Sequence, residues 1–311
     1  MMKGIATVPA TIVVPLDMSE MSETALPVAK AFAADSGASV LLLSVVDVST
    51  EFAAWMQDST DTEDFEKEQA RTQEYLDGVA SRFDGASVQT LVRAGRPEVE
   101  ILSVLDETPD PLVVMSSHGR SGFNRLLVGS VAGRVVSAAP CPVVVVRASD
   151  SGEPMPETLS IEKVLVPLDG SGFAEQALEA AITSLASKSL QFHLVRIPET
   201  VTWQTTPYGM GEVNYQMVET YMEASRTDAS AYLTEVAERL EGRGYTVTWE
   251  VRDGVIADEI VTASDEQNVD LVVIATHGRT GFRRLVMGSV AERILRDASA
   301  PLMMVRPQDE D

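Results

Sequence analysis

The sequence of 311 residues contains a single cysteine, Cys141, and only three histidines. One thiol excludes an internal disulfide framework and any metal site that needs several cysteines. No apolar run approaches the roughly 18 residues of a membrane-spanning helix, and the opening segment lacks the layout of a secretory signal. We therefore expect a cytoplasmic protein that does not insert into membranes.

Basic residues are also scarce. The chain has 24 Lys and Arg against 47 Asp and Glu, which gives a formal net charge of −23. A field of this sign repels nucleic-acid backbones and anionic lipid, so nucleic acid is not an expected partner. Only five of the basic residues are lysines, a balance that fits either a salty cytoplasm or a GC-rich genome.

What the chain has in quantity is internal repetition. Thr11–Asp17 (TIVVPLD) reappears as Lys163–Asp169 (KVLVPLD), and Ser117–Phe123 (SHGRSGF) reappears as Thr276–Phe282 (THGRTGF). Repeats at this spacing indicate a tandem duplication. At about 150 residues per domain, the length leaves no room for a third ordinary core.

The repeat predicts the domain boundaries. We expect a first domain at 1–148, a linker rich in Ser, Gly, Pro and acidic residues at 149–159, and a second domain at 160–308. The second copy is seven residues longer between the repeated segments, and we expect the extra residues within 198–218.

Short β-branched apolar runs alternate with helical patterns in each copy, as in a parallel α/β sheet buried on both faces. In the first copy the strands are expected at Ile12–Leu16, Val40–Val46, Val88–Val92, Leu112–Met115 and Val143–Val146, and the helices at Glu23–Ala34, Thr62–Phe83, Pro97–Leu105 and Asn124–Ala138. The prediction is two tandem flavodoxin-like, Rossmann-like doubly wound domains, each a five-stranded parallel sheet of order 3-2-1-4-5.

Each copy places an aspartate just after its first strand and a glycine-bearing loop just after its fourth. These loops meet at the crevice where open α/β sheets bind ligands. Gly129-Ser130 and Gly288-Ser289 directly precede helical stretches. A glycine, a helix N-terminus and a hydroxyl together favour phosphate oxygens. The alternative is that the glycines only close turns and the serines only cap helices; the nine-residue spacing from His118-Gly119 and His277-Gly278, kept in both copies, favours the ligand.

These residues resemble a tandem universal stress protein of the nucleotide-binding kind, over nearly the whole chain. The likeness rests on the strand–Pro–x–Asp start of each copy and on the pattern Gly-x2-Gly-x9-Gly-Ser/Thr. The resemblance implies ATP, with AMP and ADP as alternatives and Mg²⁺ carried with it. It also implies that the proline, the aspartate and an apolar residue ending strand two hold the adenosine, and the glycines and serine hold the phosphates. By position these are Pro15, Asp17, Val45, Gly119, Gly129 and Ser130 in the first copy and Pro167, Asp169, Ile197, Gly278, Gly288 and Ser289 in the second.

The chain departs from that pattern at the first motif glycine, which is Ser116 in one copy and Ala275 in the other. Both side chains are small, so the same backbone contact to the sugar is expected in a tighter fit. His118 and His277 are expected to hydrogen-bond their loops rather than to act in catalysis or bind metal, because neither copy has a second histidine or cysteine at ligand spacing.

The predicted function is an ATP-binding stress-response protein whose nucleotide state modulates the interaction with a protein partner of unknown identity. An alternative is a slow ATPase or nucleotidyl-transfer enzyme on the same fold, for which only Asp17 and Asp169 are candidate metal partners. A third is a scaffold with vestigial sites. The resemblance implies pairing through the fifth strand, so we expect an intramolecular pseudo-dimer, with a homodimer of tandem chains left open.

Overall fold

In the computed structural model the chain is described at residues 7–48, 62–83, 85–118, 129–147, 159–198, 215–276 and 288–306. The first copy contains β1 (Thr11–Pro15), α1 (Glu20–Glu23), α2 (Leu26–Ser36), β2 (Ser39–Asp47), α3 (Thr62–Ala80), β3 (Val88–Gly95), α4 (Pro97–Glu107), β4 (Pro111–Ser116), α5 (Ser130–Ala138) and β5 (Val143–Val146). The second contains β6 (Lys163–Pro167), α6 (Gly172–Leu185), β7 (Gln191–Arg196), α7 (Tyr215–Glu241), β8 (Thr246–Val251), α8 (Ile256–Glu266), β9 (Leu271–Ala275), α9 (Ser289–Asp297) and β10 (Leu302–Val305).

The strands form one sheet of ten, in the order β3-β2-β1-β4-β5-β10-β9-β6-β7-β8. Each half therefore has the predicted order 3-2-1-4-5 with parallel pairing. The halves join through β5 and β10, which pair antiparallel, Met303 opposite Val144. This contact confirms the expected pseudo-dimer and turns two five-stranded sheets into one, so that only β3 and β8 lie at its edges.

Helices cover both faces of the sheet, and each face has its own apolar core that runs through both domains. One core lies under α2, α3, α6 and α7 and contains Phe32 and Phe192. The other lies under α4, α5, α8 and α9 and contains Leu105 and Ile294. The two domains also share a contact at the seam, where the Arg147 guanidinium donates to the Arg296 carbonyl.

Two helices differ from the sequence prediction: one is divided into two, and the other starts later than expected. The helix expected at Glu23–Ala34 is two, α1 and α2, because Pro27 has no N–H for a continuous helical ladder and takes the first turn of a new helix instead. The helix expected from Asn124 includes α5, but α5 begins at Ser130 because Gly129 is its extended N-cap residue. Residues 124–128 lie outside the described part.

The seven extra residues of the second copy do not all fall where they were expected. Tyr75 and Tyr232 make the same contact in their domains, to Glu23 and Glu175. The offset between copies at these tyrosines is 157, against 152 at Asp17 and 159 at the glycine of the repeated His-Gly loop. Five extra residues therefore precede Tyr232, and two lie between it and the later landmark, which corrects the single insertion expected within 198–218.

The predicted linker, 149–159, lies outside the described residues except for its last position. Among the helices that the structure describes, none has the length and apolar character needed to span a membrane.

Candidate functional site

A cavity of about 730 Å³ opens at the carboxyl ends of β1, β2 and β4 in the first domain. It lies at the predicted switch point, where β1 is flanked by β2 on one side and β4 on the other. The walls come from both helical layers and from the ends of the three strands. The residues that line it include Pro15, Asp17, Ser44, Val45, Lys67, Glu68, Arg71, Thr72, Ile101, Met115, Ser116, His118, Gly129, Ser130, Val131 and Ala132.

The structure brings together six of the seven residues predicted for the first site. Pro15 and Asp17 follow β1, Val45 is near the end of β2, Ser116 ends β4, and Gly129 and Ser130 open α5. The seventh, Gly119, lies outside the described residues. The wall is thus assembled from four segments that are far apart in the sequence.

Asp17 shapes the loop between β1 and α1. Its Oδ1 accepts hydrogen bonds from the Ser19 amide at 3.1 Å and from the Ser19 hydroxyl at 2.5 Å, and the Ser19 hydroxyl in turn caps the Ser22 amide. Asp169 does the same with Ser171 in the second domain, at 2.9 and 2.5 Å. One carboxylate oxygen is therefore engaged in holding the loop in both copies.

Ser116, which replaces the first motif glycine, is buried at 6% exposure. Its hydroxyl accepts from the His118 amide at 3.4 Å, and the Ser117 hydroxyl contacts His118 Nδ1 at 2.9 Å. The histidine ring nitrogen Nε2 is buried and has no hydrogen-bond partner. The Ser116 hydroxyl thus helps to order the turn that follows β4.

Gly129 is required by the chain's own backbone. Its N–H donates to the Ser117 carbonyl at 2.8 Å, and a Cβ at this position would lie 2.9 Å from the same oxygen. A larger residue must push apart the end of β4 and the start of α5, so substitution here changes local structure as well as any bound ligand.

The N-terminus of α5 faces the cavity with backbone donors that have no partner within the helix. The first amide bonded to a backbone carbonyl in this helix is Gly133, which donates to Gly129 at 2.9 Å. The amides of Ser130, Val131 and Ala132 precede it, and all three residues line the cavity. Its N-cap residue is a glycine, which offers no capping side chain, and its first turn contains no acidic residue. The positive end of the helix dipole therefore points at the cavity with no carboxylate in the same turn to oppose it.

Sequence reasoning missed the contribution of α3. Lys67, Glu68, Arg71 and Thr72 line the cavity from the second and third turns of this helix. Their spacing of three to four residues puts them on one helix face, a signal present in the sequence. This pattern could not be assigned to the site, because residues 49–61 contain no motif that predicts where the following helix lies relative to the strand ends. Ser44 is buried on β2. It was missed because a single polar residue within an apolar run gives no sign that it faces a cavity.

In the second domain the predicted residues occupy the equivalent positions. Pro167 ends β6, Asp169 follows it, Ile197 follows β7, and Ala275 ends β9; the last two predicted residues, Gly288 and Ser289, open α9. Gly278 lies outside the described residues. A Cβ on Gly288 would lie 3.7 Å from the Thr276 carbonyl, against 2.9 Å from the Ser117 carbonyl for one on Gly129. The first turn of α9 carries Glu292.

Neither a cluster of metal ligands nor a reactive thiol is found among the described residues. The part of the chain that the structure describes contains no group of three His, Cys, Asp or Glu residues that could hold a metal ion. Cys141 is buried at the entrance to β5, and burial raises the pKa of its thiol to about 12. A thiol that stays protonated at neutral pH is a poor nucleophile.

Comparisons with known proteins give consistent results. The model of the universal stress protein family matches residues 10–147 and again residues 160–306. Universal stress protein MJ0531 of Methanocaldococcus jannaschii is 27% identical over 145 residues, which is 47% of this chain and 82% of that protein. Universal stress protein Rv2623 of Mycobacterium tuberculosis is 25% identical over 277 residues, 83% of this chain and 84% of that protein.

The fold has a close counterpart among solved structures. The crystal structure of a universal stress protein from Archaeoglobus fulgidus superposes with a TM-score of 0.69 and covers 97% of each chain at 20% identity. Likeness at this identity shows a shared fold across both domains.

Proposed function

Because the chain belongs to the universal stress protein family, we propose that it binds ATP in the crevice of its first domain. We further propose that the bound nucleotide modulates an interaction with a protein partner in the cytoplasm. AMP and ADP fit the same chemistry with fewer phosphates, and Mg²⁺ would accompany ATP.

The free amides at the start of α5 carry this proposal. Three backbone N–H groups without helical partners open onto a cavity, and the Ser130 hydroxyl stands beside them. Such a helix N-terminus favours a phosphate group through hydrogen bonds and through the helix dipole. Lys67 and Arg71 line the same cavity and offset the carboxylates of Asp17, Asp47 and Glu68 that also line it, in a chain whose net charge is −23.

The remainder of the cavity suits an adenosine. Its volume, about 730 Å³, lies within the roughly 300–1,000 Å³ of small-molecule sites. Val45, Ile101 and Met115 supply apolar walls, while Asp17 and Ser44 supply polar atoms near the strand ends. Apolar walls with a few convergent polar groups are the usual composition of such a site.

Binding, rather than catalysis, is the function that this arrangement supports. Phosphoryl transfer needs a positioned base or water-orienting group close to the γ-phosphate. The carboxylate of Asp17 already accepts two hydrogen bonds from Ser19, a use that is structural and is repeated at Asp169.

The experiment is a calorimetric titration of the full chain with Mg·ATP, comparing the wild type with Ser130→Asp. A carboxylate at the first position of α5 suits the helix dipole, so the fold is retained, but it repels phosphate at the same place. We expect ATP affinity to fall at least tenfold with an unchanged melting temperature. Gly172→Asp is the matched control, because it adds the same charge at the start of α6, where a Cβ meets nothing within 4 Å.

Two results would overturn the proposal. One is the absence of ATP binding to the wild type, which would favour the scaffold with vestigial sites. The other is equal ATP affinity of wild type and Ser130→Asp. Conversion of ATP to ADP during the titration, followed by chromatography, would favour the enzyme alternative over a binding module.

A further inference from the structure

A large difference in side-chain size between the two crevices lies on their second strands. Pro15 pairs with Leu43 across β1 and β2, and Pro167 pairs with Val195 across β6 and β7. The next residues along the second strands therefore correspond, and they are Ser44 and Arg196. A small hydroxyl in the first domain is replaced by the longest cationic side chain in the second.

Arg196 is half-buried at the end of β7. Its guanidinium stacks on the Tyr232 ring, with Cζ 4.8 Å from the ring centroid. The ring is fixed because its hydroxyl donates to Glu175 at 3.0 Å, and Arg239 holds the other oxygen of that carboxylate at 2.7 Å. The guanidinium is therefore held against α7, on the face of the sheet that corresponds to Ser44 and α3.

A second exchange makes room for this side chain. The residue after the loop aspartate is Met18 in the first domain and Gly170 in the second, and both have positive φ, 67° and 83°. A Cβ on Gly170 would lie 3.2 Å from one guanidinium nitrogen of Arg196. In the first domain Met18 does carry a side chain, and its sulfur accepts from the Thr72 hydroxyl at 3.6 Å. The lack of a side chain at Gly170 thus leaves room for Arg196 beside the loop, whereas in the first domain Met18 contacts Thr72.

The cavity of the first domain reaches helix α3, because Ser44 and Thr72 both line it. The residues at these positions in the second domain are Arg196 and Ala229, the latter by the shared register of Tyr75 and Tyr232. We propose that Arg196 occupies the part of the second crevice that Ser44 leaves open in the first, so that each chain holds one adenine nucleotide, in its first domain. This inference rests on the proposed function of the first crevice.

The charges around the second crevice act in the same direction. Arg71 lines the first cavity, and the corresponding residue on α7 is Asp228. Gly133 ends the first turn of α5, and the corresponding residue of α9 is Glu292. Two carboxylates replace a cation and a glycine near the proposed phosphate end, which weakens binding of any polyphosphate that enters.

The test is the number of ATP molecules per chain, measured by equilibrium dialysis of the full-length protein with radiolabelled Mg·ATP. We expect one per chain for the wild type and two for Arg196→Ser, the second bound more weakly because Asp228 and Glu292 remain. Arg196→Met keeps most of the volume without the charge and should stay at one. Arg243→Ser, which removes a surface cation paired with Glu179, is the charge control and should also stay at one.

ATP bound at the first site reports that the first domain is folded, and a melting temperature equal to that of the wild type reports that the variant's second domain is folded as well. Two ATP per wild-type chain would overturn this inference and leave the proposed function intact. One ATP per chain in Arg196→Ser, or two in Arg196→Met, would also overturn it, because the volume of the side chain at position 196 would then not determine whether the second crevice binds ATP. No ATP bound to the wild type would instead overturn the proposed function.

Discussion

The two domains share a scaffold but differ in the crevice that the scaffold frames. In both, an aspartate folds back on a serine two residues later, and a tyrosine from the long helix binds a glutamate that also holds an arginine. Ser44 and Arg71, which line the cavity of the first domain, correspond to Arg196 and Asp228 in the second, and Gly133 of α5 corresponds to Glu292 of α9. Duplication has kept the contacts that hold the loops and the Gly-Ser start of the helix, and it has changed other residues around the crevice.

Contacts that are repeated in both domains can be distinguished from positions that differ between them. The Asp17 carboxylate, predicted to hold adenosine, also contacts Ser19, and this contact is repeated at Asp169 and Ser171. One oxygen of the carboxylate therefore holds the loop in both domains. Arg196 and its neighbour Gly170 differ from Ser44 and Met18 at the corresponding positions, and this exchange bears on what the second crevice admits.

The largest expected effect comes from moving the second domain's arrangement into the first. Met18→Gly with Ser44→Arg should place a guanidinium over Tyr75 and reduce ATP affinity about 100-fold or more, as the base-side space fills. Titration calorimetry measures the change. Met18→Gly alone is the control and should bind ATP normally, because glycine suits the positive φ at this position. Normal ATP affinity in the double variant would break the proposed difference between the crevices.

A smaller effect is expected from the charge on α3. Arg71→Asp introduces the residue found at the corresponding position of α7 and should weaken ATP binding about tenfold, since an exposed cation near phosphate is partly screened. The loss should diminish as KCl is raised. Lys188→Asp makes the same change in net charge at the amino end of β7 and should have no effect. An equal loss in both variants would mean that the net charge of the chain, not this position, governs affinity.

The shared scaffold should respond equally in both domains. Tyr75→Phe and Tyr232→Phe each remove one hydrogen bond to a glutamate and leave the ring in place. Each should lower the free energy of unfolding by about 1 kcal/mol, and the double variant by about the sum. Urea denaturation followed by circular dichroism measures this. A large loss in only one domain would contradict the view that the two networks are equivalent.

The smallest effect concerns the thiol that only the first domain has. Burial raises the pKa of Cys141 to about 12 from 9.0, so the protonated thiol is favoured by folding. Its contribution to stability is present below pH 9 and is lost as pH rises towards 12, because the unfolded chain ionises first. The stability of the wild type should therefore fall more steeply between pH 8 and pH 10 than that of Cys141→Ala. Parallel profiles would mean that the thiol is accessible to water.

Most of the fold could be predicted from the sequence, since buried parallel strands are near-continuous β-branched runs and the repeat supplies each one twice. The break at Pro27 could have been predicted from its missing N–H, whereas the exact start of α5 depends on Gly129 meeting the Ser117 carbonyl. That contact joins segments that are separated along the chain, and periodicity within one segment contains no information about it.

The candidate site was predictable only in part, for a similar reason. Residues that end strands, such as Pro15 and Ser116, can be placed at the crevice from topology alone. Lys67 and Arg71 could not, because their position depends on where α3 begins after residues 49–61. The role proposed for Arg196 was open to a comparison of the two copies, but the space it fills is set by Gly170 and Tyr232 together, which only the fold brings into contact.

The most direct test of this account is a crystal structure of the full chain grown with Mg·ATP. The account predicts one nucleotide, in the first domain, with phosphate oxygens bound to the amides of Ser130, Val131 and Ala132, and the Arg196 side chain in place over Tyr232 in the second. Nucleotide in both crevices, or in the second alone, would contradict it.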